Sequence, residues 1–477
     1  ARADTVGPGN PLVILGGVAV FMNPEPLASF ADLMVIGEAE PVLIDLVHRL
    51  EALLTGGGSR RDMIRQVARQ VPACYAPSLY SFSFGADGRV LAMEHEPGVP
   101  ARVRRAVVNK VTAAAHSQLL SPEAELGMFM TELGRGCSRG CRFCAAGFIY
   151  RPPRLWSEDA VLGGLADRPA GMARIGLLGM EMAEAGVLDR VADYLAENAC
   201  LLSFSSLRAD RISDRILELL AASRLKSAAI APDGASERLR RVINKGLDEE
   251  DLVRAGTSLV AAGIVNLKLY VMIGLPTETE EDLAELAALV RRLHGEVLAI
   301  GRERGRVSAL TLSVNSFVPK PWTPFQYLPF GGLDPEVAAR CPDEKKAVLA
   351  LKEKIKYLRK SLAGLANLRI KVDRPERVLQ QAVLARGDRR LAPVLLDMAV
   401  RGMSMSSALR RHGLDAWQYA VRPRDKGELL PWEVVDHGIT GRYLWQEYCR
   451  AMAGKKTSPC DTARFRRCVA CDETFSA

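Results

Sequence analysis

The chain has 477 residues, enough for about three domains of ordinary size. Its composition of 48% hydrophobic and 25% charged residues is typical of a folded globular protein and excludes a disordered chain. No run approaches the roughly eighteen apolar residues of a membrane span, and the first residues lack a signal-peptide pattern, so we expect a cytoplasmic protein. The net charge of +8 is compatible with anionic partners, but it is too modest to select one.

The first segment, residues 1–58, is predicted to be half of a doubly wound, Rossmann-like α/β domain. Residues 11–21 form an apolar run broken by a glycine pair, and residues 32–40 form a second run, which is the pattern of buried parallel strands. Residues 44–54 have the periodicity of an amphipathic helix. Because the sequence opens without Met and shows only two of the strands that such a domain needs, we expect a further N-terminal portion.

The next two segments are a linker and a repeating α/β region. Residues 59–122 are predicted to be a linker with a small β-hairpin, because short alternating runs flank the turn Asp87-Gly88. Residues 123–332 alternate strands and helices, the arrangement of βα units that build a parallel sheet. The predicted strands are 128–133, 174–178, 201–206, 227–231, 266–273 and 308–317, with clear helices at 157–165 and 280–294. In such sheets the chemistry lies beyond the carboxyl ends of the strands.

Three cysteines directly after the first of these strands form the strongest motif of the chain. Cys137, Cys141 and Cys144 have the spacing CxxxCxxC, which in a non-secreted protein of this size predicts ligands for an iron–sulfur cluster. Three ligands for four irons leave one iron open, and an open position is typical of a metal site that binds a substrate or cofactor. Half of a zinc site is the alternative, although no fourth Cys or His follows within the next fifty residues.

This motif, with Phe143 before its last cysteine, resembles the radical S-adenosylmethionine (SAM) superfamily. The resemblance implies a (β/α)6 partial barrel of the TIM type and a [4Fe–4S] cluster whose open iron binds the amino and carboxylate groups of SAM. It also implies that SAM is cleaved reductively to a carbon radical, with an external electron donor of the flavodoxin or ferredoxin type.

Further tracts resemble one group within that superfamily, which has an N-terminal cobalamin-binding-like domain and a C-terminal Cys cluster. These tracts are residues 136–154, which include the cysteine motif, and the proline-rich residues 317–325. Cobalamin is therefore a further cofactor that the resemblance implies. The cobalamin-ligating motif DxHxxG does not occur in residues 1–58, so it lies in a preceding portion or does not exist.

Residues at the ends of the second and third strands match positions that bind SAM in the superfamily. Gly179 and Glu181 follow the second strand, where a Gly-Gly-Glu type motif holds the SAM amino group, although a methionine replaces its second glycine. A helix N-terminal role is the alternative for Glu181. Ser206 and Arg208 end the third strand, and a guanidinium fork matches the SAM carboxylate. A structural ion pair between Arg208 and Asp210 is the alternative.

The fourth and fifth strand ends continue this resemblance. Ser236 and Glu237 lie in a segment similar to the one near the ribose and methionine moiety of SAM, with Asp233 where related sequences carry Glu. Ile273 and Gly274 close the fifth strand and begin a segment similar to the adenine-stacking Gly-x-Pro motif. The Thr and acidic residues that follow also predict an ordinary helix cap. The prolines after the sixth strand exclude an α-helix and predict a rigid aromatic wall.

The C-terminal region, residues 333–477, is predicted to be mainly helical. Residues 343–363 mix basic and acidic residues at helical spacing, which favours a solvated helix face over a nucleic-acid stripe. Near the C-terminus, Cys460, Cys468 and Cys471 form a second cysteine group. Three outcomes are open for it: a second iron–sulfur cluster, a zinc ion with a fourth ligand from elsewhere, or no metal.

The leading functional hypothesis is a radical SAM enzyme whose 5′-deoxyadenosyl radical abstracts hydrogen from a substrate, with methyl transfer to an unreactive carbon if cobalamin binds. The first alternative is a methylthiotransferase-like enzyme that modifies RNA or protein, although those enzymes place their second cluster before the barrel. The alternative of another class is a non-catalytic RNA-binding or assembly protein with a structural cluster. The strand-end motifs favour the enzyme, and no residue set selects the substrate.

Overall fold

The computed structural model describes residues 10–108, 113–121, 123, 127–179, 185–203 and 207–460. Its strands are β1 Ile14–Leu15, β2 Leu33–Val35, β3 Cys74–Tyr75, β4 Tyr80–Phe84, β5 Val90–His95, β6 Val103–Arg104, β7 Phe129–Glu132, β8 Gly134–Arg135, β9 Arg154–Leu155, β10 Arg174–Leu178, β11 Leu201–Ser203, β12 Ser227–Asp233, β13 Asn266–Ile273, β14 Ala309–Ser316, β15 Leu368–Val372 and β16 Val435–Asp436.

Its helices are α1 Val18–Met22, α2 Leu43–Thr55, α3 Arg60–Gln70, α4 Ala146–Ile149, α5 Glu158–Ala166, α6 Ala185–Glu197, α7 Asp214–Ala222, α8 Glu237–Val242, α9 Glu249–Ala261, α10 Glu280–Glu303, α11 Pro335–Arg340, α12 Glu344–Ser361, α13 Pro375–Arg386, α14 Ala392–Arg401, α15 Met405–Arg411 and α16 Gly441–Met452. Within the described ranges, none of them combines the length and the apolar character needed to cross a bilayer.

The central strands form a parallel partial barrel. β10 pairs with β7 on one side and β11 on the other, and β12, β13, β14 and β15 pair in that order, all in parallel. A parallel bridge between Leu207 and Ile230 connects the segment after β11 to β12. The predicted six-stranded arrangement is therefore confirmed, and β15 from the C-terminal region adds one more strand at its edge.

The strand boundaries follow the apolar patterns of the sequence closely. Strands β10 and β13 begin and end at the predicted residues, and the other predicted barrel strands overlap β7, β11, β12 and β14. The helix predicted at 280–294 is α10, which starts at a capping box between Thr279 and Asp282 and continues to Glu303. Its continuation has a physical reason, because Val297 and Gly301 extend its buried face.

The barrel strands have one fully buried face and one half-open face. Alternate residues of β13 are buried in the core that helices α9 and α10 cover, and each contributes about 1.5–3 kcal/mol through burial. These residues are Leu267, Leu269, Val271 and Ile273. The residues between them are half-buried and face the barrel interior, as Tyr270 and Met272 do next to Ser313 and Asn315 of β14. This interior face leads to the carboxyl ends of the strands, where such barrels carry their active sites.

The N-terminal segment is less regular than predicted. Strands β1 and β2 are parallel, and α2 matches the predicted amphipathic helix. The prediction of one continuous strand over residues 11–21 is wrong, because Gly17 has a φ of +89° and the chain continues as helix α1. A side chain is strained at such an angle, so the glycine pair ends the extended segment. β3 then adds an antiparallel edge to β2.

The predicted hairpin is present, and it packs against Arg389 of the C-terminal region. Strands β4 and β5 pair in antiparallel fashion, and Phe82 of β4 lies under the guanidinium of Arg389, 4.4 Å from ring centroid to Cζ. Arg389 also donates to the fully buried Glu25, at 2.8 Å from its Nε, and to the hydroxyl of Tyr75. One arginine therefore joins the N-terminal segment, the hairpin and the C-terminal region.

The proline-rich segment after β14 is part of the core. Residues 317–325 form no α-helix, as predicted, and only a short 3-10 turn follows at Pro324–Tyr327. Trp322 and Phe325 of this segment are 5% and 0% exposed and pack inside the protein, and the aromatic wall stays a prediction. In the C-terminal region, the buried residues of α12 are all apolar and its basic residues lie outside that stripe, and the choice of a solvated face over a nucleic-acid stripe stays a prediction.

We predict that Arg389→Ala strongly destabilises the protein. The substitution leaves the Glu25 carboxylate buried without its cation, and breaking such a buried pair costs about 3–5 kcal/mol. The measurement is the urea midpoint of the first unfolding transition. The control is Arg340→Ala, since the pair between Arg340 and Glu336 is about 80% exposed and contributes less than about 1 kcal/mol. Equal midpoints for the two variants would contradict the joining role of Arg389.

Candidate metal centre

The cysteine loop, residues 137–144, lies between β8 and helix α4, at the carboxyl end of β7. Glycines allow its sharp course: Gly136 and Gly140 have φ angles of +88° and +68°, and a Cβ on Gly136 would come within 2.9 Å of the Tyr150 carbonyl oxygen. The backbone N–H of Cys144 donates to the carbonyl of Cys141 at 3.0 Å, so the last two cysteines share one turn. The loop therefore presents its three thiols at the end of the sheet where chemistry is expected.

The segment that follows β12 holds this loop in place. The side-chain amide of Asn244 donates to the carbonyls of Arg139 at 3.2 Å and Gly140 at 3.4 Å. The backbone N–H of Arg142 donates to the carbonyl of Ile243 at 3.0 Å. Because Asn244 has a φ of +55°, its backbone is in the left-handed region that Asn tolerates better than most residues. The loop is thus fixed by backbone bonds and one short amide side chain.

Two cations lie beside the innermost cysteine. Cys141 is buried, and burial raises the pKa of its thiol to about 11, whereas the positive charges of Lys245 and Arg208 act in the opposite direction. The Nζ atom of Lys245 lies 2.6 Å from Oδ2 of Asp233, and burial raises the pKa of that carboxyl. A metal that replaces the thiol proton would gain from these cations, because they offset the negative charge of a thiolate.

The donor set fits an iron–sulfur cluster. Thiolates are the ligands of such clusters, and the loop carries three of them with cationic neighbours. No three His, Cys, Asp or Glu side chains in the described part of the chain are arranged around a single metal ion. Cys137, Cys141 and Cys144 would hold the cluster, with Cys137 and Cys144 half-buried and nearer to solvent.

Of the predicted SAM-binding residues, Phe143 is part of this loop and Gly179 lies next to it. Gly179, at the end of β10, has a φ of +85°, and a Cβ there would come within 2.8 Å of the carbonyl oxygen of Gly134, just before the loop. Phe143 is half-buried and packs against the main core. Glu181 and Ser206 lie outside the described residues.

Arg208 is near the cysteines but already paired. Its Nε lies 2.7 Å from Oδ1 of Asp210, and its Nη2 donates to the carbonyl of Lys245 at 2.7 Å. The structural alternative for Arg208 is therefore observed. Its charge still acts on Cys141, so the residue stabilises the site whether or not it contacts a ligand.

Ser236 and Glu237 have partners within and beside helix α8. The Ser236 hydroxyl accepts from the N–H of Leu239 as the helix cap and donates to Asp282 of α10. The Glu237 carboxylate pairs with Arg241 on the same helix. These contacts give both side chains structural roles. The assignment of Ser236 and Glu237 to SAM binding stays a prediction.

The end of β13 is shaped by packing. The side chain of Ile273 is 0% exposed in the helix-covered core, so it does not face the barrel interior. Gly274 has a φ of +73°, and a Cβ there would come within 2.7 Å of Leu351 and 3.1 Å of Gly331. Its N–H donates to the buried carboxylate of Glu278 at 3.0 Å. The glycine is required by these close approaches, and its role toward adenine remains a prediction.

The structure also identifies an anchor that the sequence does not reveal. Arg142, inside the cysteine motif, is 0% exposed, and its Nε donates to Glu447 of α16 at 3.1 Å. Its two other nitrogens donate to the carbonyls of Val242 and Lys455 and to the Thr457 hydroxyl. No local signal points to a partner 305 positions away, because an arginine between two cysteines is also typical of a solvent-exposed loop.

The anchored C-terminal segment reaches the cysteine loop itself. The N–H of Thr457 donates to Oδ1 of Asn244 at 2.9 Å, and the N–H of Cys460 donates to the carbonyl of Ser138 at 2.7 Å. Cys460 is therefore adjacent to the first cysteine motif. The other two residues of the predicted second group, Cys468 and Cys471, lie outside the described residues.

Comparison with known proteins identifies similar families and relatives. Residues 131–290 match the family model described as the radical SAM superfamily, and residues 2–77 match the model for the N-terminal part of radical SAM proteins. The chain is 29% identical over 427 residues to the uncharacterized protein MJ0966 of Methanocaldococcus jannaschii, covering 88% of this chain and 80% of that protein. The superfamily match includes the whole cysteine loop.

Solved structures with similarity to this chain include two radical SAM enzymes with cobalamin bound. TsrM, a radical SAM methyltransferase from Kitasatospora setae with cobalamin and a [4Fe–4S] cluster bound, is 15% identical with a TM-score of 0.43 over 63% of this chain and 56% of that one. The radical SAM enzyme OxsB, with aqua-cobalamin and SAM bound, is 14% identical with a TM-score of 0.44 over 92% and 65%. The chain thus spans less than two thirds of the length of either structure.

We predict that Cys141→Ala abolishes metal incorporation. The loss of the innermost thiol leaves two loop cysteines, and after anaerobic reconstitution with iron and sulfide we expect iron content and charge-transfer absorption near background. Cys449→Ala is the matched control, since Cys449 is exposed on α16 and its loss leaves the loop intact. Full iron content in Cys141→Ala would show that the loop does not hold the cluster.

Proposed function

Because the chain belongs to the radical SAM superfamily, we propose that it is an enzyme that cleaves SAM reductively at a [4Fe–4S] cluster and modifies a substrate through the resulting radical. The observation that carries this proposal is the loop of Cys137, Cys141 and Cys144 at the carboxyl end of a parallel partial barrel. The half-buried interior face of β13 and β14 continues from that end of the barrel and offers space for a substrate.

The division of labour between cofactor and protein follows from this arrangement. The cluster, when bound, supplies the electron that breaks a carbon–sulfur bond of SAM and so produces the 5′-deoxyadenosyl radical, which removes a hydrogen atom from the substrate. The three thiols bind iron and leave one position without a loop cysteine. Lys245 and Arg208 offset the negative charge that collects around Cys141. The buried core behind β13 holds the strand ends rigidly in place.

Cobalamin is a further cofactor in this proposal, but its DxHxxG ligand motif does not occur in residues 1–58, so no step is assigned to a residue of this segment. The N-terminal segment holds a single histidine, His48, which lies on the exposed side of α2 and is not in a DxHxxG sequence. Methyl transfer to the substrate carbon is the form of modification that we propose to follow hydrogen abstraction when cobalamin is bound. Members of the superfamily generally need an external reductant, and we propose a flavodoxin or ferredoxin in the cytoplasm for this role.

The first experiment asks whether SAM is cleaved. Wild-type protein reconstituted anaerobically is given SAM and dithionite, and 5′-deoxyadenosine is quantified by chromatography. We expect product from the wild type and from the exposed-cysteine control Cys449→Ala, and none from Cys141→Ala, because only the last lacks a loop ligand. A stable cluster in the wild type that neither binds nor cleaves SAM would favour a non-catalytic protein with a structural cluster.

We predict opposite shifts of the cluster reduction potential for Lys245→Met and Asp233→Asn. Reduction adds negative charge, so loss of the neighbouring cation lowers the midpoint potential and loss of the neighbouring carboxylate raises it. The measurement is a redox titration followed by electron paramagnetic resonance. Lys356→Met is the control, since the Lys356 side chain is 80% exposed on α12. Shifts of the same sign in both variants would place the pair away from the cluster.

A further inference from the structure

We infer that Cys460 is a fourth protein ligand of the cluster, occupying the open iron while SAM is absent. This inference rests on the proposed function and concerns the same site. The four thiols come from two segments more than three hundred residues apart, and the fold brings these segments together.

The distance between the two segments is short. The N–H of Cys460 and the carbonyl of Ser138 are 2.7 Å apart, from nitrogen to oxygen. Standard bond lengths then place the Cα atoms of these two residues no more than about 7 Å apart. Ser138 directly follows the first cluster cysteine, Cys137. The backbone of Cys460 therefore contacts the residue next to Cys137, at the edge of the cysteine loop.

Hydrogen bonds of Asn244 hold the segment before Cys460 against the cysteine loop. Asn244 bonds both segments at once: its amide nitrogen donates to Arg139 and Gly140 of the cysteine loop and, at 3.1 Å, to the carbonyl of Thr457, while its oxygen accepts the N–H of Thr457. Asn244 is only 7% exposed. Such a contact fixes the backbone three residues before Cys460 relative to the loop.

A buried ion pair reinforces this contact from the other side. Arg142 of the cysteine loop pairs with Glu447 and also donates to the carbonyl of Lys455 and the hydroxyl of Thr457. Glu447 in turn accepts from the Thr457 hydroxyl at 2.8 and 2.9 Å. The C-terminal segment is therefore tied to the loop by charged groups that are removed from water, and such ties persist only when all partners stay in place.

Cys460 and SAM would exchange at the same iron without any redox change. The Cys460 thiol gives its proton to solvent and binds iron as a thiolate, with no change of oxidation state. Four thiolates complete the coordination that is usual for clusters that only carry electrons. SAM must then displace Cys460, which returns to the thiol as SAM takes the iron. The consequence is a cluster that keeps its fourth iron in the absence of SAM and binds SAM in competition with the protein.

The test compares Cys460→Ala with the wild type in two measurements that do not depend on turnover. In the first, reconstituted proteins without SAM are treated with ferricyanide, and the three-iron cluster signal is followed by electron paramagnetic resonance. We expect rapid loss of the fourth iron in Cys460→Ala and retention in the wild type. In the second, SAM affinity is measured by equilibrium dialysis. We expect Cys460→Ala to bind SAM at least about tenfold more tightly, since the competing ligand is removed.

Three further variants test whether the effect belongs to the Cys460 thiol itself. Cys449→Ala tests for a general effect of losing an exposed cysteine, and the double variant Cys468→Ala/Cys471→Ala tests whether the remaining C-terminal cysteines are responsible instead. Cys460→Ser keeps the size of the side chain, and we expect it to lose iron as Cys460→Ala does. Equal iron retention and equal SAM affinity in wild type and both Cys460 variants would overturn the inference, and so would an effect confined to the double variant.

The outcome also distinguishes the role of Cys460 from the proposed function. If Cys460→Ala behaves as the wild type and both form 5′-deoxyadenosine, Cys460 is not a ligand and the enzyme assignment stands. If no variant cleaves SAM although the cluster is present, the proposed function fails, while the ferricyanide measurement still reports whether Cys460 binds iron.

Discussion

The buried ion pair between Arg142 and Glu447 is the interaction on which the candidate site depends. Arg142 lies between two cluster cysteines, and all of its side-chain nitrogens are used to hold the end of the barrel segment after β12 and the C-terminal segment after α16. Because a buried guanidinium is costly unless every donor finds a partner, the pair fixes three distant parts of the chain at once. The cysteine loop therefore has one position in the fold, and the residues of the C-terminal segment are part of its surroundings.

The parallel sheet provides the second constraint. Parallel strands with helical connections bring their carboxyl ends to one edge, so the loop after β7 meets the segments after β10 and β12 without any further device. Close approach at this edge requires residues without a Cβ: Gly179 passes the backbone of Gly134, and Gly274 passes Gly331. Gly179 and Gly274 match ligand-binding positions of the superfamily, and both are also required by close backbone packing. A sequence motif shows the glycine in both cases and does not tell which requirement selected it.

The charged groups around Cys141 act in opposite directions on its ionisation. Burial opposes ionisation of Cys141, and the cations of Lys245 and Arg208 favour it, while Asp233 keeps Lys245 positioned and partly neutralised. Because the thiolate is the form that binds a metal, the two cations favour metal binding by Cys141 and its burial opposes it. The N-terminal segment contacts the strands that flank the cysteine loop, since Glu38 pairs with Arg135 of β8 and Arg154 of β9. Arg389 joins the same segment to the hairpin through Glu25 and Phe82.

The sequence by itself determined the barrel strands, the helix caps and the three loop cysteines, because these depend on local periodicity, propensity and spacing along the chain. It failed for residues 11–21, where one apolar run divides into a strand and a helix at the glycine pair. Only the tertiary structure decided that Ser236 donates to Asp282, that Arg142 is an anchor and that Cys460 lies against the first cysteine motif. Those contacts join residues that are far apart in the chain. Local sequence patterns do not specify them, because they arise from the packing of complete elements against one another.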